Sequence, residues 1–440
     1  MPLFKIRGVH VPHNKNTASQ KAVKMPNVKE VVIPMAMHIG APATPIVKVG
    51  QRVLVGEKIA EATSYISAPI HASVSGKVKK IDNILMSNGN SVPAVFIESD
   101  GLMEVSPACK PVEVNTFEEF ISAVKESGIV GLGGAGFPTY VKLNVKDLSQ
   151  IEEVVINGAE CEPFITADTR TMIDDVESIK EGVELLKRFL NVKKVIFGVE
   201  DNKPEAIQAL QKLAKEDSVI KVHALKAEYP QGGEKVLIYN TTGKIVPEGK
   251  LPLDVGVVIM NVTTLAFIAK YIKTGMPLVE KVLTVDGSVV ACSKNVIAPI
   301  GASMKEVFEF CGGFVKTPYK VIYGGPMMGI AVPNLNQPIL KTTNAIVALS
   351  EKEAHVPEAG PCIRCGRCIN QCPLRLDPPA ICKARELNDG AELERLKANL
   401  CMECGVCSFV CPAKRPIVQS NKLAKGVLRT YQTQKKEANK

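Results

Sequence analysis

At 440 residues, with 46% hydrophobic and 22% charged residues, the chain is globular and too long for one ordinary domain. No apolar run approaches the roughly 18 residues of a membrane span, and the opening lacks the apolar core of a signal peptide. A net charge of +9 comes with no Trp and 5% aromatics, a poor composition for reading nucleic acid. The chain is expected to stay in the cytoplasm, where thiols remain reduced.

Residues 1–112 read as a β domain. Short Val/Ile-rich runs at 31–33, 46–49 and 94–98 alternate with Gly, Pro and Asn turns and show no helical period. The stretch 49–78 resembles the hammerhead of biotinyl and lipoyl carrier domains. Those carriers present a modified lysine at a hairpin tip, where this chain has Ser64. The resemblance implies a carrier-like barrel-sandwich scaffold without the carrier chemistry.

Residues 113–275 change texture. The pattern predicts helices over 117–127, 174–190 and 204–215, and strands over 154–156, 194–199, 220–224 and 255–260. Such alternation argues for a parallel sheet with helices on its faces. Four polar or glycine-rich stretches interrupt it. Gly131-Leu-Gly133-Gly134-Ala-Gly136-Phe137-Pro138 lets backbone approach a ligand, and Lys142 follows it. Because this loop precedes a strand, it is not the Rossmann fingerprint. Asn157 to Pro163 carries Glu160 and Glu162 after a buried strand, Gly232-Gly233-Glu234 forms a glycine turn, and Asn261 to Thr264 follows the last strand. Glu160 or Glu162 could equally cap the next helix, and Asn261 or Thr264 could begin one.

Residues 276–335 read as hairpin, loop and helix, and 336–360 as a linker. Residues 361–415 then repeat one pattern, C-x2-C-x2-C-x3-C-P: Cys362, Cys365, Cys368, Cys372, and again Cys401, Cys404, Cys407, Cys411. This is the spacing of bacterial two-cluster ferredoxins, in which each fourth thiolate serves the other cluster. It predicts one 4Fe–4S cluster on Cys362, Cys365, Cys368 and Cys411, and a second on Cys401, Cys404, Cys407 and Cys372. A zinc ribbon uses two pairs and a long spacer, without the third in-line cysteine or the proline. Cys109, Cys161, Cys292, Cys311 and Cys382 read as small buried residues or bystanders. From Ala413 to Lys440 there are eight Lys or Arg against one Glu, a net of +7. That tail, 416–440, suits either a solvated end or attachment to an anionic membrane or acidic partner.

The stretches GLGGAGFPTYVKL, INGAECEP, YPQGGEK and MNVTTL resemble, in this order, the FMN/NADH motifs of the flavoprotein subunit of complex I and of bifurcating hydrogenases. That flavoprotein carries one cluster, whereas this chain has two cassettes. A carrier-like β domain, a Rossmann-like flavin domain, a β-grasp domain and an α-helical two-cluster ferredoxin domain together resemble the C subunit of the Rnf ferredoxin–NAD oxidoreductase. The resemblance covers nearly the whole chain, including the opening at Gly8 to Lys15. It implies that Gly133, Gly134 and Gly136 approach the FMN phosphate and ribityl chain, with Lys142 as a point charge. Asn157, Asn261 and Thr264 would hold the flavin's ring edge and phosphate, Phe137 would stack on the NADH adenine, and Glu160, Glu162 and Glu234 would contact the nucleotide. It implies a peripheral, NAD(H)-dependent oxidoreductase subunit of an ion-translocating complex on the cytoplasmic face of the membrane. Its partners would be membrane-embedded subunits and a ferredoxin-like electron donor, with ferredoxin itself acting indirectly and no nucleic acid. A cobalamin reductase of bacterial microcompartments shares the core motifs, and a ferredoxin-like adaptor without flavin is the non-catalytic alternative.

Overall fold

A computed structural model describes residues 8–438 of the chain. The expectations for residues 1–7 and 439–440 lie outside the described residues.

The N-terminal region builds two small antiparallel sheets. One runs Glu30–Pro34, Ser91–Ser99, Gly76–Leu85, Arg52–Val53, and the other Thr44–Pro45, Lys58–Glu61, Ile70–His71. Residues 46–49 are not the expected strand. Ile46 keeps one hydrogen bond to Ile59, then the chain turns through Gly50 at φ +88 and leaves Val49 exposed. Ser64 sits at the expected tip, and its hydroxyl donates to the nearby Ile66 carbonyl.

The central region has the parallel sheet that the alternation implies, in the order Ile220–Leu225, Val195–Glu200, Glu153–Gly158, Val257–Asn261. Helix Phe117–Glu126 starts at a capping box between Thr116 and Glu119. The helix expected over 174–190 runs Val176–Leu190, and a further helix not expected from the sequence, Ala167–Asp174, precedes it with a break at Asp175. Helices Glu234–Thr242 and Val262–Thr274 begin inside stretches read from sequence as ligand loops. Their polar first turns hide the apolar face that follows.

The region expected as a β-grasp domain forms a six-stranded sheet, and two of its strands come from outside the expected 276–335. Val23–Lys24 of the N-terminal region pairs in parallel with Lys294–Pro299. Ala345–Leu349, inside the expected linker, is buried at every residue and lies between Glu280–Asp286 and Lys320–Tyr323. Its unbroken apolar sequence is that of a strand covered on both faces. One apolar core runs continuously through these three regions, so they pack as a unit.

The ferredoxin-like region is a set of short helices closed by Ile417–Ala438. That segment is not a free tail. Ile417, Val418, Ala424 and Leu428 are buried, the helix packs on Pro378–Glu386 and Gly390–Arg395, and Lys425 and Lys435 pair with Glu403 and Glu394, each at 2.6 Å. Among the described residues no helix is long and apolar enough to cross a membrane.

Candidate functional site: a flavin cleft against a cysteine cassette

The C-terminal ends of Glu153–Gly158 and Val257–Asn261, where parallel sheets bind ligands, open into a cleft of about 470 Å3. All eleven residues expected at the flavin and nucleotide site line it: the glycines with Phe137 and Lys142, Asn157, the three glutamates, Asn261 and Thr264. Its size falls within the roughly 300–1,000 Å3 of ligand and cofactor sites.

The glycine loop fits a cofactor closely. A Cβ on Gly133 would stand 2.4 Å from Asn261 Nδ2, so only glycine lets the loop close on that side chain. Gly134 has nothing within 4 Å of a Cβ and opens toward the cleft, while Gly136 turns at φ +70. Leu132 N–H donates to Thr264 Oγ1 at 3.1 Å, which holds the loop against the start of helix Val262–Thr274.

The two asparagines are partly engaged by the protein. Asn261 is the N-cap of that helix: its Oδ1 accepts from Thr263 and Thr264 N–H, and its Nδ2 donates to Asp168 at 2.7 Å. Asn157 Nδ2 donates to the Gly232 carbonyl at 2.9 Å and ties the sheet edge to the glycine turn. Each amide retains a second N–H. At the cleft's outer rim Lys142 Nζ lies 3.4 Å from Glu234 Oε2.

Glu160 resolves one of the two readings left open. Its backbone is left-handed at φ +44, and its carboxylate accepts from Asp168 N–H, Thr169 N–H and Thr169 Oγ1 at 2.5–3.2 Å. It therefore caps helix Ala167–Asp174 across seven residues of chain. Burial pushes it up to about 7, with Lys15 pulling the other way. Glu162 accepts from Met327 N–H at 3.1 Å and Met328 N–H at 2.8 Å, linking the flavin domain to the Gly324–Gly329 loop of the six-stranded-sheet region. It too is raised to about 7 by burial, against those two donors.

Sequence reasoning found no role for the opening segment. Lys15 Nζ donates to the Glu160, Glu162 and Ile165 carbonyls at 2.6–2.8 Å and so fixes the turn carrying both glutamates. Such a lysine has no sequence signal, because its partners lie about 150 residues away.

The second cassette closes on this cleft. Met402, between Cys401 and Cys404, lines it, and a Cβ on Gly233 would stand 2.3 Å from Met402 Cε. Tyr229 Oη donates to the Cys404 carbonyl at 2.7 Å, and Val9 and Tyr229 exchange two backbone hydrogen bonds at 2.8 Å. Val9, Val11, Tyr229, Cys404 and Val406 form one apolar cluster. Cys161, read as a bystander, is in the cleft wall with Sγ accepting from Gly232 N–H, while Cys292 is exposed rather than buried.

Cys372 lines one small cavity with Cys401, Cys404 and Cys407. Cys411 instead acts electrostatically on Cys368, together with Cys365. Burial pushes the Cys404 thiol up to about 12 and Cys407 higher still. Thiolates in that setting need cationic metal to be stable, which is what a cluster supplies. Among the described residues no three His, Cys, Asp or Glu side chains close on a single metal ion. A four-iron cubane, by contrast, holds its thiolates apart at its corners.

Comparison with known proteins covers the chain in four segments. Residues 4–102 match the RnfC barrel sandwich hybrid domain, 124–270 the Nuo51 FMN-binding domain, 282–331 the SLBB domain and 361–415 the 4Fe-4S dicluster domain. The C subunit of the Na(+)-translocating ferredoxin:NAD(+) oxidoreductase complex of Acetobacterium woodii is 42% identical over 95% of both chains. The C subunit of the proton-translocating ferredoxin:NAD(+) oxidoreductase complex of Clostridium ljungdahlii is 40% identical over 84% of this chain and 82% of its own. The C subunit of the ion-translocating oxidoreductase complex of Rhodobacter capsulatus is 37% identical over 98% and 85%. A chain of an NAD+-reducing NiFe hydrogenase shares the fold at TM-score 0.50 and 19% identity, over 72% of this chain and 65% of that one. A flavin cleft, a dicluster cassette and relatives this similar from end to end lead to one conclusion: the chain belongs to the family of C subunits of ion-translocating ferredoxin:NAD+ oxidoreductase complexes.

Proposed function

We propose that this chain is the peripheral electron-transfer subunit of a membrane ion-translocating ferredoxin:NAD+ oxidoreductase, working at the cytoplasmic face. When bound, 4Fe–4S clusters exchange single electrons, NAD exchanges hydride, and FMN can do both. The chain's task is to hold these groups in order.

Gly133, Gly134 and Gly136 bring backbone to the FMN phosphate and ribityl chain, with Lys142 as the nearby charge. The second N–H of Asn157 and of Asn261, and the Thr264 hydroxyl, face the flavin. Phe137 offers its ring to the NADH adenine, and Glu162 and Glu234 offer carboxylates to the nucleotide. Glu160 acts through the helix it caps. Cys362, Cys365, Cys368 and Cys411 hold one cluster; Cys401, Cys404, Cys407 and Cys372 hold the other.

The observation that carries this reading is the contact between the second cassette and the cleft, through Met402 and the Tyr229–Cys404 hydrogen bond. It makes the second cassette the inner one. The first faces outward: Cys362 and Cys365 are exposed, and so are Ile363, Arg364, Arg367 and Ile369 in the same segment. Residues 359–376 contain no acid. An exposed segment of arginines and apolar side chains without acids suits an acidic, ferredoxin-like electron donor.

The test pairs content with docking. The anaerobically purified chain should contain FMN and both clusters, and NADH should reduce an artificial acceptor through it. Arg364→Glu with Arg367→Glu should leave all of this intact and slow electron uptake from an acidic ferredoxin by about tenfold or more at low salt. High salt should erase the difference. A chain without FMN, or uptake unaffected by both charge reversals, overturns the reading.

A further inference from the structure

A second cavity, of about 590 Å3, lies behind the flavin cleft, between strand Glu280–Asp286 and helices Ala167–Asp174 and Val262–Thr274. Leu132 and Thr263 line it, and their chain neighbours Gly131, Gly133 and Thr264 line the cleft. None of the residues assigned to the nucleotide site line it.

Lys281 lines this cavity and is only 2% exposed. The other deep lysines have acceptors within the protein. Lys341 donates to the Pro69 and Gly128 carbonyls at 2.7 Å, Lys203 pairs with Glu200 at 2.6 Å, and Lys15 holds three carbonyls. The Lys281 ammonium has no such acceptor among the described residues. Asp168 and Glu160 act on it only through space, and Asp168 is already taken up by Asn261 Nδ2 and Thr263 Oγ1 at 2.7 and 2.6 Å. Burial lowers Lys281 to about 8, against the pull of Asp168 and Glu160. A buried charge is costly unless something pairs with it.

The acids around the cavity are engaged elsewhere. Asp174 binds Arg170, Asp175 pairs with Lys270 at 2.8 Å, and Glu280 pairs with Lys24 at 2.7 Å. That leaves Lys281 inside and Lys21 at the exposed rim as the unpaired charges among the described lining residues. The remaining wall is largely apolar, with Leu132, Phe267, Val279, Val282 and Ile297. A bare inorganic ion would leave this wall uncovered, and a neutral molecule would leave the ammonium unmet.

We propose that this cavity binds an organic anion, a carboxylate or phosphate ester on an apolar body, with Lys281 as its charge partner. Because Leu132 lies between Gly131 and Gly133 of the cleft, the bound anion sits directly behind the flavin loop.

The test is calorimetric titration of the FMN- and cluster-loaded chain, with NAD in excess to fill the nucleotide cleft. Benzoate, benzamide and inorganic phosphate serve as probes. Benzoate should bind, and benzamide, which has the same ring without the charge, should bind about tenfold or more weakly. Lys281→Gln should lower benzoate affinity by about tenfold or more with the FMN-to-protein ratio unchanged. Lys21→Glu, an exposed change at the rim, should lower it by a smaller factor and decides the matter if Lys281→Gln does not fold. Absence of benzoate binding, equal binding by the Lys281→Gln or Lys21→Glu chain, or phosphate binding as tightly as benzoate overturns the proposal.

Discussion

Cys362 and Cys365 of the first cassette stand in solvent beside exposed arginines, whereas Cys404 and Cys407 of the second are buried, Cys404 against Tyr229, Met402 and Val406 and Cys407 against Ile417 and Val418. The spacing of the two cassettes is identical. The motif therefore dictates what is bound, and the packing around it decides which cassette meets a partner and which meets the cleft. Solvent exposure and hydrogen bonding around a cluster are also what set its reduction potential. The two cassettes should differ in potential for that reason alone.

The most severe way to break the comparison is to remove one fourth cysteine. Cys372→Ala should abolish the cluster on Cys401, Cys404 and Cys407 while sparing the outward one, and Cys411→Ala should do the reverse. Iron content and electron paramagnetic resonance read the outcome directly. If Cys372→Ala removes the signal of the outward cluster instead, the crossed assignment fails.

A smaller effect comes from the closing helix, which supports both cassettes at once. Leu428 is 2% exposed in an apolar cluster that includes Cys372 and Cys401 as packed neighbours. Leu428→Ala should cost about 2–5 kcal/mol. Cluster absorbance should then bleach at lower temperature, with flavin absorbance persisting longer. Simultaneous loss of both would show that the ferredoxin-like region has no separate stability.

The mildest change sharpens the inner side alone. Glu162 holds the Met327–Met328 backbone, and the Met327 carbonyl stands 2.8 Å from where a Cβ on Gly405 of the second cassette would be. Glu162→Gln should cost about 1–3 kcal/mol. Its pH dependence has a definite sign. The carboxyl is raised to about 7 in the folded chain against an ordinary 4.5, so the folded state holds its proton more tightly. That contribution is full below about 4.5 and is lost as pH rises to about 7. The variant should lose this slope, so wild-type and variant melting temperatures measured from pH 4.5 to 7 should converge toward the upper end. Parallel curves would remove Glu162 as the titrating group. His71 has the opposite sign: burial, with Lys341 nearby, holds it well below 6.5, so it favours unfolding as pH falls below that value.

By itself the sequence determined the cysteine spacing, the order of the four glycine and polar stretches, the strand–helix alternation and the parallel sheet. These are local patterns, written in neighbouring residues by period, turn chemistry and ligand spacing. The missed elements share a different cause. Ala345–Leu349 is a strand only because Glu280–Asp286 and Lys320–Tyr323 flank it, and Val23–Lys24 only because Lys294–Pro299 offers an edge. The basic tail is a packed helix because its few apolar residues find a groove on two short helices. Glu160 became a helix cap and Asn261 an N-cap through hydrogen bonds that the sequence allowed equally to a ligand. Lys15, Tyr229 and Lys281 gained or were denied partners by groups up to some 175 residues away. Whether a polar side chain meets its partner in the protein or keeps a site open depends on what folds over it, and that was settled only by the tertiary structure.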